Sequence, residues 1–244
     1  MKLVLCSDLH TDRRTLGVDR FDEISRAAHQ TVDALLDSRA DVWAFLGDLC
    51  DPEDGPEVAR GVELLLELVL RVTRERKRSV LLAGNHDVDQ NGRGRTTLSP
   101  LRALARDPWN LVTLFESGGS FLFDDVQVLA LPYPPVSGGY DMRECLLREV
   151  AKWGDQPMNI RRTGVVLAHA TYIPGALEGE ETLEMPRGRA VPFPLDVVPP
   201  GWAKFCGHFH TPQMTPGGVV VPGALARLTR GEAKNEPRFL IAEI

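Results

Sequence analysis

No stretch of this 244-residue chain approaches the roughly 20 consecutive apolar residues that a bilayer-spanning helix needs. Cysteine is scarce. Cys6, Cys50, Cys145 and Cys206 show no CxxC spacing, and Cys6 and Cys206 fall in apolar runs where they read as small core hydrophobes. The N-terminus, Met1-Lys2-Leu3-Val4-Leu5-Cys6, passes straight into such a run without the layout of a signal peptide. A reducing cytoplasm is therefore the expected compartment. Internal repeats of 20–50 residues and low-complexity tracts are lacking as well. Excess positive charge is also missing: the net charge is −6, which argues against a broad basic face for nucleic acid. That figure does not describe a site whose carboxylates hold divalent cations, because the ions neutralise them locally.

What the chain has is ordinary globular composition, 43% hydrophobic and 25% charged, and a repeated local event. Val80-Leu81-Leu82-Ala83 reads as a buried strand, and Gly84-Asn85-His86-Asp87 follows it as a loop. In that loop Gly84 is expected to supply backbone freedom for a sharp turn. Asp8 and His10 follow residues 3–6, Gly47-Asp48 follows 42–46, His169 follows 165–168, and Gly207-His208-Phe209-His210 follows 202–206. Of the six histidines, five (His10, His86, His169, His208 and His210) directly follow such runs. His29 lies in a predicted helix and reads as a surface or boundary histidine. In an open α/β sheet the carboxyl ends of parallel strands share one edge, where ligands bind.

Helical periodicity predicts helices to about Ser38 from Phe21, from about Glu57 to Arg76, near Leu98 to Ala105, and over Asp141 to Trp153. The cations between Arg71 and Arg78 read as complements to a helix C-terminus. Phe121-Leu122-Phe123 and residues 126–131 suggest a hairpin through Asp124-Asp125, and Val219 to Val221 and Phe239 to Ile244 are further strands. Residues 170–201 form a long insertion rich in Pro, Gly and Glu. The sum is a single domain over 1–244, a layered α/β sandwich whose first half consists of crossover units and whose second half consists largely of hairpins.

Asp8, His10, Asp48, Asn85, His169, His208 and His210 are too many for one tetrahedral zinc and suit two ions sharing a carboxylate. Mixed carboxylate, imidazole and amide donors fit Mn, Fe, Zn or Co. Cys50, amid harder donors, reads as packing. His86 neighbours Asn85 and points elsewhere, so it is available as a general acid or charge stabiliser.

Together Asp8-x-His10, Gly47-Asp48-x-x-Asp51, Gly84-Asn85-His86-Asp87, His169 and Gly207-His208-x-His210 resemble the signature of calcineurin-like metallophosphoesterases. The resemblance implies a four-layer α/β/β/α sandwich. It implies one metal on Asp8, His10, Asp48 and His210, and another on Asp48, Asn85, His169 and His208. It further implies two divalent ions, manganese foremost, with a metal-bound water attacking phosphorus. His86 would then protonate the leaving oxygen or stabilise the transition state, and Asp87 and Asp51 would support the ligands. Within the superfamily the chain is most similar to SbcD-type DNA repair nucleases. The residues that carry this are Asp87, Leu131-Pro132-Tyr133, Gly207-His208-x-His210-x-x-Gln213, Pro222-Gly223-Ala224, Arg227-Leu228 and Gly231-Glu232. Termination at Ile244 leaves no room for that branch's capping domain and ATPase-docking tail, so an SbcC-type partner is not expected. The leading reading is a DNA nuclease with Arg13, Arg14, Arg93, Arg95, Arg187 and Arg189 on loops at the site rim, Arg93 and Arg95 foremost in holding substrate phosphates. The alternative is a phosphodiesterase or phosphatase for a small nucleotide-like substrate, with 170–201 as a lid. A purely structural metal module would not need His86.

Overall fold

The structure, a computed structural model, describes residues 1–50, 55–88, 95–106, 111–135, 140–154, 163–177 and 190–244. In chain order it runs β1 (Lys2–Cys6), β2 (Arg14–Thr15), β3 (Val18–Asp19), α1 (Phe21–Asp37), β4 (Val42–Phe45), α2 (Gly55–Arg74) and β5 (Arg78–Leu82). A 3-10 helix at Ser99–Arg106 stands where the sequence predicts a short helix. There follow β6 (Val112–Phe115), β7 (Gly119–Phe123), β8 (Val126–Leu131), α3 (Met142–Gly154), β9 (Gly164–His169), β10 (Ala203–Gly207), β11 (Gln213–Met214), β12 (Val219–Val221) and β13 (Leu240–Glu243).

Two sheets face each other. The first has the order β13-β1-β4-β5-β6 and the second β11-β12-β10-β9-β8-β7. In the first, β1, β4, β5 and β6 are parallel, with Leu3 opposite Val42 and Val42 opposite Arg78. The helices α1 and α2 supply the crossovers that parallel pairing requires. Continuous apolar runs such as Val42-Trp43-Ala44-Phe45, buried throughout, are what a strand covered on both faces needs.

Three buried apolar clusters separate four layers. One packs α1 and α2 on the first sheet, through Ile24, Val32, Leu65, Val69, Trp43 and Phe45. A second fills the space between the sheets with Leu3, Leu5, Leu46, Val80, Val128 and Leu167. The third lies beyond the second sheet, where Leu146 of α3 meets Phe193, Trp202 and Phe209. This is the α/β/β/α sandwich. On α2 the buried face consists of Gly61, Leu64, Leu65, Leu68, Val69 and Val72. Among the described residues no helix is long and apolar enough to cross a membrane.

The second half is not built largely of hairpins. The core of its sheet, β8-β9-β10-β12, is parallel. Among the described residues, antiparallel pairs occur only at its edges, β7 with β8 and β11 with β12. The physical reason is connection length: the segments joining β8 to β9 and β9 to β10 exceed the dozen residues a crossover needs. Another expectation also changes. The polar stretch after His10 folds into the two-residue hairpin β2–β3, with Arg14 opposite Asp19. Its turn puts Leu16 at φ 54° and Gly17 at φ 82°, the double left-handed turn that matches strand twist.

Candidate metal centre

Because both sheets are parallel at their centres, the ends of β1, β4, β5, β9 and β10 come together on one edge. The close approach depends on missing side chains. A Cβ on Gly47 would lie 2.6 Å from the Gly84 nitrogen and 2.7 Å from Nδ1 of His169. One on Gly84 would overlap Oδ1 of Asp48 and lie 2.5 Å from the Asp48 nitrogen. One on Gly207 would overlap Oγ of Ser7 and lie 2.7 Å from the Leu46 carbonyl oxygen. Gly84 is therefore needed for proximity; it is not among the glycines with positive φ, contrary to the turn role expected of it. Gly84→Ala forces two strand ends apart. The expected outcome is a loss of about 1–3 kcal/mol of stability, a drop in Tm of roughly 2–12 °C, with divalent-cation binding impaired in calorimetry.

Strain collects at the same edge. Asp8 (φ 56°), His10 (φ 44°), Asp48 (φ 61°) and His208 (φ 91°) all hold left-handed backbone. Such conformations cost of order 1–3 kcal/mol each and persist where the surroundings enforce them. Backbone bonds do so here: the amides of Asp8, Leu9 and His10 donate to the carbonyls of Gly47 and Asp48 at 2.9–3.1 Å.

The side chains fall into two groups, Asp8 with His10 and His210, and Asp48 with His169 and His208. Within each group one donor atom per residue lies within 4.8 Å of the others, and all six residues are buried. Nε2 of His10 and Nε2 of His210 are 3.1 Å apart. Oδ1 of Asn85 lies 2.9 Å from both Nε2 of His169 and Nδ1 of His208, which joins it to the second group. Oδ2 of Asp48 sits between the groups, 3.8 Å from Nε2 of His10 and 3.3 Å from Nε2 of His169.

Three further contacts orient these groups. Nδ1 of His169 bonds the Leu46 carbonyl oxygen at 2.7 Å, which turns Nε2 toward Asp48. The backbone amide of His208 donates to both carboxylate oxygens of Asp8, at 3.1 and 3.2 Å. Asp87 ties the loops after β4 and β5 together, because its carboxylate accepts from the amides of Asp48, Leu49 and Gly84 at 2.8–3.0 Å and from the Thr97 hydroxyl. Asp51 lies outside the described residues.

Burial and the neighbouring Asp48 push the Asp8 carboxyl up to about 6. Burial and the neighbouring His169 push His208 down to about 3, and burial with His86 nearby holds His10 well below its ordinary value. Both imidazoles thus stay neutral and keep a lone pair. For His169 burial opposes protonation, yet the Asp48 carboxylate outweighs it and raises the ring to about 9. Asp48 is held well below the usual carboxylate range, because positive neighbours led by His169 overcome its burial. A cation entering between them would displace the His169 proton.

The residues fit divalent cations on the donors' own evidence. Oδ2 of Asp48 and Nε2 of His208 are buried without a hydrogen bond among the described residues, a state polar atoms rarely hold unless an ion or water satisfies them. Oxygen and imidazole donors suit first-row divalent metals.

His86 differs from this set. It is half-buried, it is in neither group, and its ring packs edge-on against His10 with centroids 4.9 Å apart. Its backbone amide donates to Oδ1 of Asp48 at 2.9 Å. Of the rim cations, Arg13 is half-buried and near enough to depress His10, and Arg14 and Arg95 are exposed. Arg93, Arg187 and Arg189, and the middle of the proposed 170–201 lid, lie outside the described residues. Cys50 is buried under α1 and α2 and joins neither group. His29 is half-buried between α1 and α2, with Nδ1 3.1 Å from Arg71. Glu232, which the sequence singles out only within the likeness at Gly231-Glu232, meets His210, a contact the sequence did not indicate. Nor did it find Thr97 on Asp87.

Two candidate cation-binding groups, at the strand ends of an α/β/β/α sandwich, fit a metal-dependent phosphoester hydrolase. The family model for calcineurin-like phosphoesterases matches residues 1–212, and the chain belongs to that family of dinuclear metalloenzymes. No curated protein sequence matches the chain. Among solved structures, a dimetal phosphatase from Danio rerio aligns over 100% of this chain and 92% of its own, at 13% identity and a TM-score of 0.57. The protein TT1561 of Thermus thermophilus aligns over 99% of this chain and 98% of its own, at 14% identity and a TM-score of 0.55. At such identities these likenesses speak for the fold alone.

Proposed function

We propose that this protein hydrolyses phosphodiester bonds in DNA, as a nuclease of the SbcD type, with two divalent cations, manganese foremost. The observation that supports the chemistry is Oδ2 of Asp48, buried without a hydrogen bond among the described residues and set between the two donor groups. Two cations at such a site clamp the attacking and leaving oxygens of a phosphoryl displacement and activate water. In this proposal Asp8, His10, Asp48 and His210 hold one ion, and Asp48, Asn85, His169 and His208 the other. His169 is fixed by the Leu46 carbonyl and the left-handed loops by their backbone bonds, so the donors need little rearrangement. His86, half-exposed beside His10, delivers a proton to the leaving oxygen or stabilises charge on the phosphoryl group.

The preference for a polynucleotide rests on cations at the rim: Arg13 close to His10, Arg14 on the hairpin, Arg95 ten residues beyond Asn85. The sequence likenesses at Asp87, Gln213 and Gly231-Glu232 point the same way. The four free, buried cysteines support a cytoplasmic setting, and the proposed reaction needs no SbcC-type partner.

The test offers the protein, with Mn²⁺, single- and double-stranded DNA alongside bis-p-nitrophenyl phosphate and cyclic nucleotides. DNA should be cleaved. Hydrolysis of cyclic nucleotides with DNA left intact would transfer the assignment to a small nucleotide-like substrate. Arg93→Ala combined with Arg95→Ala should flatten the slope of log affinity for DNA against log salt by up to about two units. Turnover of bis-p-nitrophenyl phosphate, which has no flanking phosphates, should hardly change. Unchanged DNA affinity and slope, with small-substrate turnover lost, would contradict the nuclease reading.

A further inference from the structure

The family match ends at residue 212, but the donor cluster does not end there. Beyond β12 the chain returns to the site edge. Ala224 bridges Ser7 at the end of β1, and its amide donates to the His210 carbonyl at 3.2 Å. The Leu228 carbonyl accepts from the Thr15 hydroxyl of the β2–β3 hairpin at 2.7 Å. Asn235 meets Thr211, its amide donating to the hydroxyl at 3.2 Å, and its carbonyl accepts from Nε of Arg227 at 2.8 Å. This anchored segment carries Glu232 on a short 3-10 turn (Gly231–Lys234) and buries it to 4% exposure.

Oε1 of Glu232 lies 2.8 Å from Nδ1 of His210. Its other oxygen accepts from the Leu228 amide at 2.7 Å, and the Thr229 hydroxyl donates to Oε1 at 3.2 Å. The Leu228 and Thr229 bonds would suffice to close a local turn. The reach to His210, 22 residues away in sequence, is not needed for that. Its effect is on the imidazole: Nδ1 carries the proton and donates to the carboxylate, leaving the Nε2 lone pair directed at the donor group, 3.1 Å from Nε2 of His10. A carboxylate behind an imidazole fixes its tautomer and strengthens it as a donor more than the neutral carbonyl that backs His169 does.

We propose that Glu232 is a positioning residue for the Asp8–His10–His210 group, so that the C-terminal segment is part of one of the two cation sites and not of the other. The proposal rests on the two-cation reading above. The mechanism is local: removing the carboxylate frees the His210 ring to rotate and to take the other tautomer, which weakens one ion and leaves the His169–His208 group intact.

The experiment measures Mn²⁺ binding to the chelator-stripped full chain by calorimetry, alongside Tm, for wild type, Glu232→Ala, Glu232→Gln and Thr229→Val. The expected result is that Glu232→Ala weakens one of two binding steps by about 10–100-fold and leaves the other within about threefold. Glu232→Gln keeps one neutral acceptor, enough for His210 but not also for the Leu228 amide, so it should lose some Tm and less than about tenfold at the same step. Thr229→Val, which removes only the local bond, should bind as wild type. Wild-type binding of both ions by both Glu232 variants would overturn the proposal. So would equal weakening of both steps in proportion to lost Tm, which marks a structural role alone. If wild type itself binds no divalent ion, the two-cation reading falls and this proposal with it.

Discussion

Asp48→Asn should strip this protein of bound metal and of activity together. The substitution keeps shape and volume but removes the one negative charge placed between the two donor groups, 3.8 Å from His10 and 3.3 Å from His169. It also leaves His169 without the carboxylate that raises its affinity for a proton or a cation. Several kcal/mol of charge stabilisation depend on the ions, so phosphodiester turnover should fall by about 10³-fold or more. Elemental analysis and a bis-p-nitrophenyl phosphate assay on one preparation check this. An Asp48→Asn protein with wild-type metal content would show that the carboxylate does not bridge.

His86→Ala should behave in the opposite way. Its ring belongs to neither donor group and is only half-buried, beside His10. Metal content should remain near two ions per chain, as the proposed scheme requires. Turnover should fall by about 10²–10⁴, the usual contribution of a positioned proton donor. The loss should be greatest for substrates with poor leaving groups, which need that proton most. Loss of metal in parallel with activity would place His86 among the ligands.

The strands that carry the site could be read from sequence because each is a continuous apolar run buried on both faces. Val80-Leu81-Leu82 and Val165-Val166-Leu167-Ala168 sit in the centres of parallel sheets, where side-chain alternation vanishes and chemistry can only follow the strand. The gathering of Asp8, Asp48, Asn85, His169, His208 and His210 on one edge was legible for the same reason. Strand direction in the second sheet was less so. Phe121-Leu122-Phe123 and the Asp124-Asp125 turn do form a hairpin, but that local signal says nothing about β9, β10 and β12, whose pairing is decided by crossovers far longer than any turn. The reason for Gly84 was missed too. A glycine in a turn suggests backbone freedom, whereas here the determinant is Asp48 from the loop after β4, a contact no local reading contains. The pairing of Glu232 with His210 was hidden in the same way, since His210 is reached only after β11, β12 and a return across the site edge.

Joint holding of two cations through Asp48 is tested most directly by titrating chelator-stripped protein with Mn²⁺ while following both binding and bis-p-nitrophenyl phosphate hydrolysis. Two ions per chain should bind, with hydrolysis rising as the second site fills. Saturation at a single ion with full hydrolysis, or full hydrolysis in the stripped protein, would contradict it.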